Sequence, residues 1–115
     1  MNVHRWSDEP VEELNPTIGR QVIHTDRMTV GRLILKKGAY VPTHDHEAEQ
    51  IVNVIEGSLR FEIEGKEYVV AAGESLVLPG NLPHDAKALE DSVVLDVFAP
   101  VREDWVRGDD SYLRR

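Results

Sequence analysis

The stretch that decides the fold is "GAYVPTHDHEAEQIVNVIEG", which runs from Gly38 to Gly57. It sets two histidines, His44 and His46, one residue apart in a segment that is otherwise typical of β-strands. Alternate residues of an extended chain share one face, so the two imidazoles would lie about 6.5 Å apart along the strand. Such a pair can bind one metal ion, although on its own this spacing more often belongs to a polar loop.

On both sides of this stretch the sequence consists of short strand-like runs separated by turns. Residues 59–64 alternate between apolar and charged side chains, which is the pattern of a strand with one buried face. Glycines in the segments Glu56–Ser58 and Glu64–Lys66 supply the positive φ that hairpin turns need. The remaining predicted strands are Thr17–His24, Met28–Gly38, those within Gln50–His84, and Ser92–Pro100. The pattern predicts an all-β protein, either a sandwich or a small antiparallel barrel.

The chain of 115 residues is long enough for one domain with a single core. We expect an N-terminal arm at residues 1–16, a β-barrel at residues 17–101 and a C-terminal tail at residues 102–115. Trp6 and Val11 need apolar cover, so the arm should pack on the barrel or on a partner. In the tail, Arg102–Gly108 is the one helical candidate, ended by its glycine. The arginines and aspartates that follow it predict a solvated end of the chain.

The composition excludes several classes of protein. Hydrophobic residues make up 41% of the chain and charged residues 30%, as in ordinary globular proteins. No apolar run approaches the roughly 20 residues that span a bilayer, and the polar N-terminus does not resemble a signal peptide, so we expect a cytoplasmic protein without a membrane partner. The absence of cysteine excludes a disulfide framework. The net charge of −8 argues against a nucleic-acid partner.

A second segment, "GESLVLPGNLPH", repeats this style of spacing with Gly73, Pro79 and His84. Together the two segments resemble the paired motifs of the cupin superfamily, G-x5-H-x-H-x3-E-x6-G and G-x5-P-x-G-x2-H-x3-N. The chain departs from these motifs where Gln50 replaces the glutamate and Asn81 replaces the inner glycine, and it lacks the final asparagine.

The resemblance implies a small antiparallel double-stranded β-barrel that forms a homodimer. It also implies one divalent metal ion per subunit (nickel, zinc, manganese or iron), held in the mouth of the barrel by His44, His46, Gln50 and His84. A neutral glutamine leaves the ion its full charge, which favours Lewis-acid chemistry over the oxygen activation typical of iron sites with a carboxylate ligand. Glu47 or Glu49 could supply a carboxylate instead, although neither occupies the motif position.

The last predicted strand, "SVVLDVFAP", is apolar on both faces apart from Asp96, so we expect both faces to be covered. If its even-numbered residues face the barrel interior, Asp96 and Phe98 line the cavity and Arg102 stands at its rim. The alternatives are an Asp96 that satisfies a buried backbone or arginine group and an Arg102 that is a plain surface residue. We expect His4 and His24 to be surface or locally satisfied side chains.

This ending, D-x-F-x3-R, resembles the small cupins of pectin and alginate breakdown, in which the third metal ligand is also glutamine. Those enzymes linearise 4,5-unsaturated monouronates to the open-chain keto sugar. The resemblance implies the same reaction here, with Asp96 moving a proton, Phe98 forming a wall against the ring and Arg102 pairing with the substrate carboxylate. Three alternatives stay open: an iron- or manganese-dependent dioxygenase, an isomerase or epimerase of another sugar acid, and a non-catalytic binding protein.

Overall fold

The computed structural model describes residues 1–115 and consists mainly of β-strands. The strands are β1 (Glu12–Asn15), β2 (Ile18–His24), β3 (Thr29–Leu35), β4 (Tyr40–His44), β5 (Glu49–Glu56), β6 (Ser58–Ile63), β7 (Lys66–Ala71), β8 (Ser75–Leu78), β9 (His84–Ala88) and β10 (Ser92–Ala99). One α-helix, α1, spans Glu103–Arg107, and 3₁₀ turns cover Trp6–Asp8 and Ser111–Leu113. The chain contains no helix of the length and hydrophobicity needed to cross a membrane.

The strands form two sheets in which every neighbouring pair is antiparallel. One sheet has six strands in the order β1-β2-β3-β10-β5-β8, and the other has four in the order β4-β9-β6-β7. Their inner faces share one core of 19 buried apolar residues. The predicted all-β class, the small antiparallel barrel and the short C-terminal helix are therefore confirmed.

The predicted hairpin turn at Gly65 is confirmed, since it joins the paired strands β6 and β7. The predicted hairpin at Gly57 is wrong, because β5 and β6 lie in different sheets and Gly57 turns the chain from one sheet to the other. Gly57 and Gly65 have φ angles of 83° and 76°, which side chains with a Cβ rarely adopt. Between these turns, Leu59, Phe61 and Ile63 on β6 are buried, as the alternation of the sequence predicts. The turn residues therefore fix the register that points this apolar face inward.

The central strand β10 buries one of its two faces. Val94, Asp96 and Phe98 are between 1% and 4% exposed, whereas the odd-numbered residues 93–97 are only half-buried. A single chain therefore covers only one face of this strand. The physical reason is that the barrel has two layers, so the outward face of the six-stranded sheet has no third layer to cover it.

Both ends of the chain pack on the barrel. Strand β1, which lies within the N-terminal arm, extends the six-stranded sheet by pairing with β2. At the other end, Leu113 is buried in the core, and Asp110, only 1% exposed, forms an ion pair of 2.8 Å with the buried Arg20. The prediction of a solvated tail holds for Arg107, Asp109, Arg114 and Arg115, which are exposed, but it is wrong for Asp110, because the buried guanidinium of Arg20 needs a counter-charge.

Substituting Gly57 with alanine is expected to destabilise the fold by about 2–5 kcal/mol, from left-handed strain together with overpacking. The residue has φ +83°, and a Cβ there would overlap the Ser92 hydroxyl and the Asp91 backbone oxygen. Gly65→Ala is the matched control, since Gly65 has φ +76° but open space around it. Urea unfolding of both variants measures the difference, and equal losses of stability would contradict the steric part of the prediction.

Candidate metal centre

Three histidines converge from three segments of the chain. His44 ends β4 and His84 begins β9, and the two residues are direct partners in the register of these strands. His46 follows in the turn before β5, and one ligating nitrogen from each histidine lies within 4.8 Å of the other two. The expectation that His44 and His46 share one strand is wrong, because β4 ends at His44. The turn after β4, rather than strand alternation, brings the two imidazoles together.

Hydrogen bonds to the backbone fix the orientation of all three imidazoles. In each histidine the Nδ1 atom lies 2.7–2.8 Å from a backbone carbonyl oxygen two residues away. A carbonyl oxygen can only accept, so Nδ1 carries the proton and Nε2 keeps a free lone pair. The pairs are His44 with Pro42, His46 with Ala48, and His84 with Leu82. Outer hydrogen bonds of this kind usually orient histidines that bind a metal.

The burial of the cluster keeps its histidines neutral. Burial lowers the pKa of His44 and of His46 to about 4, and it lowers the pKa of His84 as well. Moreover, the Nε2 atom of His46 is buried and has no hydrogen-bond partner in the chain. Neutral imidazoles with an orphaned nitrogen fit a divalent ion that prefers nitrogen ligands, so the cluster suggests a metal.

These lowered pKa values predict how metal affinity depends on pH. A proton competes with the metal only near or below the pKa of the ligand, so affinity should stay nearly constant from pH 7 to about 5.5 and fall as the pH approaches 4. Titration of the metal-free protein with nickel at several pH values measures this, with circular dichroism to verify that the chain stays folded. A decline centred near pH 6.5, the ordinary value for histidine, would contradict it.

The other predicted ligand, Gln50, is a buried residue of β5 whose side chain lines the same cavity as His44 and His84. No carboxylate belongs to the three-histidine cluster. Glu47 and Glu49 are exposed, so the alternative of a glutamate ligand has no support in the structure.

Of the remaining histidines, His4 lies near the Glu9 carboxylate and His24 near the Thr29 hydroxyl, at 2.9 and 2.8 Å. Each imidazole therefore has a hydrogen-bonding partner close by in the sequence, as predicted.

The predicted residues of the last strand share this cavity with His44 and His84. Asp96 and Phe98 point inward from β10, and Arg102 follows just beyond the strand. The ring of Phe98 also meets the ring of His46 edge to face, with centroids 5.6 Å apart. The cavity has a volume of about 50 Å³ and a mostly apolar lining. The structure therefore places imidazoles, a carboxyl group and a guanidinium together in a site that largely excludes water.

The carboxyl group of Asp96 is a buried polar group without an obvious structural task. Burial raises its pKa to about 7, although a hydrogen bond with Gln50 and the charge of Arg102 act in the opposite direction. Its Oδ1 atom is buried without any hydrogen-bond partner. The alternative of an Asp96 that satisfies a buried backbone or arginine group therefore fails for this oxygen. A carboxyl with a pKa near neutrality can both take up and release a proton under physiological conditions.

Arg102 is only 3% exposed, so the alternative of a plain surface residue is wrong. Its Nε and Nη2 atoms donate to the Asp104 carboxylate at 2.9 and 2.7 Å, and Nη2 also donates to the Tyr112 hydroxyl. Its guanidinium lies 4.7 Å from the centre of the Phe98 ring and 4.5 Å from that of Trp105. The fork that suits a bidentate carboxylate is thus taken by Asp104, which leaves Nη1 for a ligand.

Three residues of the C-terminal tail belong to the site although the sequence did not reveal them. Asp104 and Tyr112 hold Arg102, and Trp105 packs on Phe98 with ring centroids 5.0 Å apart. Tyr112 also stacks on His44. The sequence offers only two aromatic residues, Trp105 and Tyr112, as a sign that this segment is buried. The charged residues around them indicate an exposed segment more strongly.

The fold and the site define a class of small β-barrel protein with a buried three-histidine centre. Residues 31–98 match the cupin domain family, and the chain belongs to that family.

The chain is similar to proteins of pectin degradation. It is 32% identical over 102 residues to the pectin degradation protein KdgF of Dickeya dadantii (strain 3937), covering 86% of this chain and 93% of the relative. The structure of KdgF from Halomonas sp. matches with a TM-score of 0.84 and 31% identity, over 90% of this chain and 99% of that one.

A more distant relative is the 3-hydroxyanthranilate 3,4-dioxygenase of Xenopus laevis. It is 25% identical over 99 residues, which is 83% of this chain but only 35% of that enzyme.

Proposed function

We propose that this cupin linearises a 4,5-unsaturated uronate to its open-chain keto form. The observation that carries the proposal is the single cavity lined by two of the three clustered histidines, His44 and His84, by the Asp96 carboxyl and by the Arg102 guanidinium. The similarity to two KdgF proteins over most of the chain supports the choice of substrate class.

The site offers a separate contact for each part of such a substrate. The Nη1 atom of Arg102 would donate to the carboxylate, while Asp104 and Tyr112 hold the rest of the guanidinium in place. The Phe98 ring would form an apolar wall beside the sugar ring. A divalent ion held by His44, His46, Gln50 and His84 would supply Lewis-acid polarisation of a substrate oxygen.

Asp96 is the proposed proton carrier. In the reaction the C1 hydroxyl loses its proton, the bond between C1 and the ring oxygen breaks, and the electron pair moves onto that oxygen. C4 then gains a proton, so that C5 becomes a ketone and C1 an aldehyde, with no net gain or loss of atoms. A carboxyl group whose pKa is about 7 can accept the first proton and deliver the second.

The test is an ultraviolet assay on 4,5-unsaturated galacturonate, in which turnover removes the absorbance of the C4–C5 double bond. We expect loss of absorbance that stops when a chelator strips the protein and returns when a divalent metal is added back. Elemental analysis of the purified protein would identify the ion among nickel, zinc, manganese and iron. Tight binding of the sugar acid without any loss of absorbance would instead support a non-catalytic binding protein.

A dioxygenase is the second candidate, because the Xenopus laevis enzyme is a relative of most of this chain. The absence of a carboxylate from the cluster argues against it, since iron sites that activate oxygen commonly combine two histidines with one carboxylate. Oxygen consumption by the iron-loaded protein with 3-hydroxyanthranilate as the probe distinguishes the two functions.

We also propose that the protein is a homodimer that buries the outward face of its six-stranded sheet. The strand register lines up five aliphatic side chains across this face, and two of them, Ile51 and Val77, are 44% and 67% exposed. The row consists of Ile23, Val30, Val97, Ile51 and Val77. A continuous apolar row on a sheet surface is the kind of feature that an interface covers.

Val77→Lys is therefore expected to turn a dimer into a monomer, because it would bury an unpaired charge in the interface. Val69→Lys is the matched control, since Val69 is 59% exposed on the other sheet. Light scattering after size-exclusion chromatography measures the mass of each variant. A Val77→Lys protein that keeps the mass of a dimer would contradict this choice of interface.

A further inference from the structure

The cavity beside the three histidines is too small for the substrate that we propose. Its volume is about 50 Å³, whereas a cavity of about 150 Å³ is needed to hold benzene and ligand pockets measure about 300–1,000 Å³. A six-membered sugar acid therefore cannot enter while the chain keeps this arrangement. Some part of the cavity wall has to move.

The movable part of the wall is the end of the chain, Ser111–Arg115, which we name the C-terminal lid. Within it, Tyr112 stacks on the imidazole of His44 with ring centroids 4.6 Å apart and planes 29° from parallel. Tyr112 and the buried Leu113 both line the cavity. The lid thus covers one of the three histidines directly.

The attachment of the lid differs from that of the strands. The lid joins neither sheet, and its backbone is tied to the barrel by the Asn15 side chain, which donates to the carbonyls of Leu113 and Arg115 at 3.1 and 3.0 Å. The Arg114 guanidinium adds an ion pair with Asp110 at 2.8 Å and lies 3.8 Å from the Glu12 carboxylate of β1. The Tyr112 hydroxyl adds two bonds, accepted from Arg102 and Trp105. Segments held in this way open at a lower free-energy cost than sheet strands do.

The residue just before the lid is firmly anchored. Asp110 is 1% exposed and paired with Arg20 at 2.8 Å. The hinge is placed directly after Asp110, so that opening of the lid breaks the Arg114–Asp110 pair at 2.8 Å and leaves Asp110 paired with Arg20.

A second opening near the histidines does not suit an anionic sugar. His46 and Arg102 also border a surface groove that carries five acidic side chains but only one further arginine. The acidic residues are Asp26, Asp45, Glu47, Glu103 and Asp104. Their field attracts a metal cation and repels a carboxylate. The groove therefore offers a path for the metal, and a sugar acid has to arrive past the lid.

We propose that the C-terminal lid opens to admit the sugar acid, and that Tyr112 determines the size of the acid that can reach the three-histidine site. The proposal rests on the proposed function for the class of ligand. The lid itself is inferred from the volume of the cavity, the stacking on His44 and the attachment of the segment by side chains rather than by a sheet. In this proposal a small carboxylic acid passes beside Tyr112 while the lid is closed, whereas a sugar acid enters only in the fraction of time that the lid is open.

The test compares two acids that cannot react, glycolate and D-galacturonate, on the nickel-loaded protein. In a Trp6→Phe background the only remaining tryptophan is Trp105, which lines the cavity, so that its fluorescence reports on the entry of a ligand in every variant. Tyr112→Ala is expected to raise the stopped-flow association rate of D-galacturonate about 10-fold or more, because minor open states are commonly populated at about 0.1–10%. Loss of Tyr112 also removes a hydrogen bond that holds Arg102 and so affects both acids alike, and the association rate of glycolate should therefore change much less than that of D-galacturonate.

Three controls sharpen the comparison. Tyr68→Ala removes a partly exposed tyrosine of β7 on the other sheet and should leave both rates unchanged. Tyr112→Phe keeps the ring but loses the bonds with Arg102 and Trp105, so its D-galacturonate rate should fall between those of the parent and Tyr112→Ala. The rate of nickel uptake should be equal in all variants, because the acidic groove reaches His46 without the lid.

Equal D-galacturonate rates in the parent and in Tyr112→Ala, or an equal gain for both acids, would overturn the proposal. If Tyr112→Ala does not fold, hydrogen exchange on the unaltered chain decides. The amides of Leu113 and Arg114 should exchange at least about 100-fold faster than those of β10, and equal protection would overturn the lid. D-galacturonate has no C4–C5 double bond, so these results are independent of whether the protein turns over an unsaturated uronate.

Discussion

His84→Ala is expected to abolish both metal binding and turnover. Loss of an outer hydrogen-bond partner alone typically costs about 10–100-fold in metal affinity, so loss of a direct ligand should cost more than about 100-fold. The three nitrogens lie within 4.8 Å of one another and His84 contributes one of them, so the remaining pair cannot reproduce the cluster. Isothermal titration with nickel and elemental analysis of the purified variant measure the loss.

The matched control for this substitution is His24→Ala. His24 lies outside the cluster and interacts with Thr29, so its removal should leave the metal content unchanged. Thermal unfolding of the metal-free proteins separates loss of a ligand from loss of the fold. A folded His84→Ala protein with an undiminished affinity for nickel would show that the cluster does not hold the metal.

Asp96→Asn is expected to lower kcat by about 10²–10⁴-fold, which is the usual contribution of a positioned proton carrier. Asparagine has nearly the same shape and still fits between Gln50 and Arg102, but it cannot exchange a proton at neutral pH. Metal content should therefore stay at the level of the parent protein. The ultraviolet assay and elemental analysis together distinguish a lost proton carrier from a lost metal.

The stability of the same variant gives an independent readout. Burial raises the folded-state pKa of Asp96 from 3.8 to about 7, so the folded state holds its proton more tightly than the unfolded state. The metal-free parent should therefore lose stability relative to Asp96→Asn as the pH rises from about 4 to about 7. The exposed Asp109→Asn is the control. Unchanged turnover in Asp96→Asn would remove Asp96 from the mechanism.

Most of the site could be found from the sequence because its key residues sit at fixed places in local elements. His44 ends one strand and His84 begins another, and these two strands pair with each other. The short motifs that contain the two histidines were therefore sufficient to place the two side chains together. Asp96 and Phe98 were found for a similar reason, since alternation along one strand puts both on the same face. For Asp96 and Phe98, the alternation of side chains along a single strand was sufficient to predict their positions.

The rest could not be found because it depends on contacts between distant parts of the chain. Asp110 lies in a charged segment that reads as solvated, and only its pairing with Arg20, 90 residues away, accounts for its burial. Arg102 likewise looked free to bind a carboxylate, until the fold placed Asp104 and Tyr112 against it. No local pattern encodes which charged groups meet after folding.

The stretch Gly38–Gly57, together with the segment that contains His84, by itself determined the barrel and the imidazoles that suit a metal. Turn glycines and alternating side chains are local properties, and they specify strands and registers directly. Only the tertiary structure decided how closed the site is and which donors remain free in it. That decision depends on the C-terminal segment, in which Asp110 pairs with the buried Arg20 and Tyr112 stacks on His44, and both contacts join parts of the chain that are far apart in sequence.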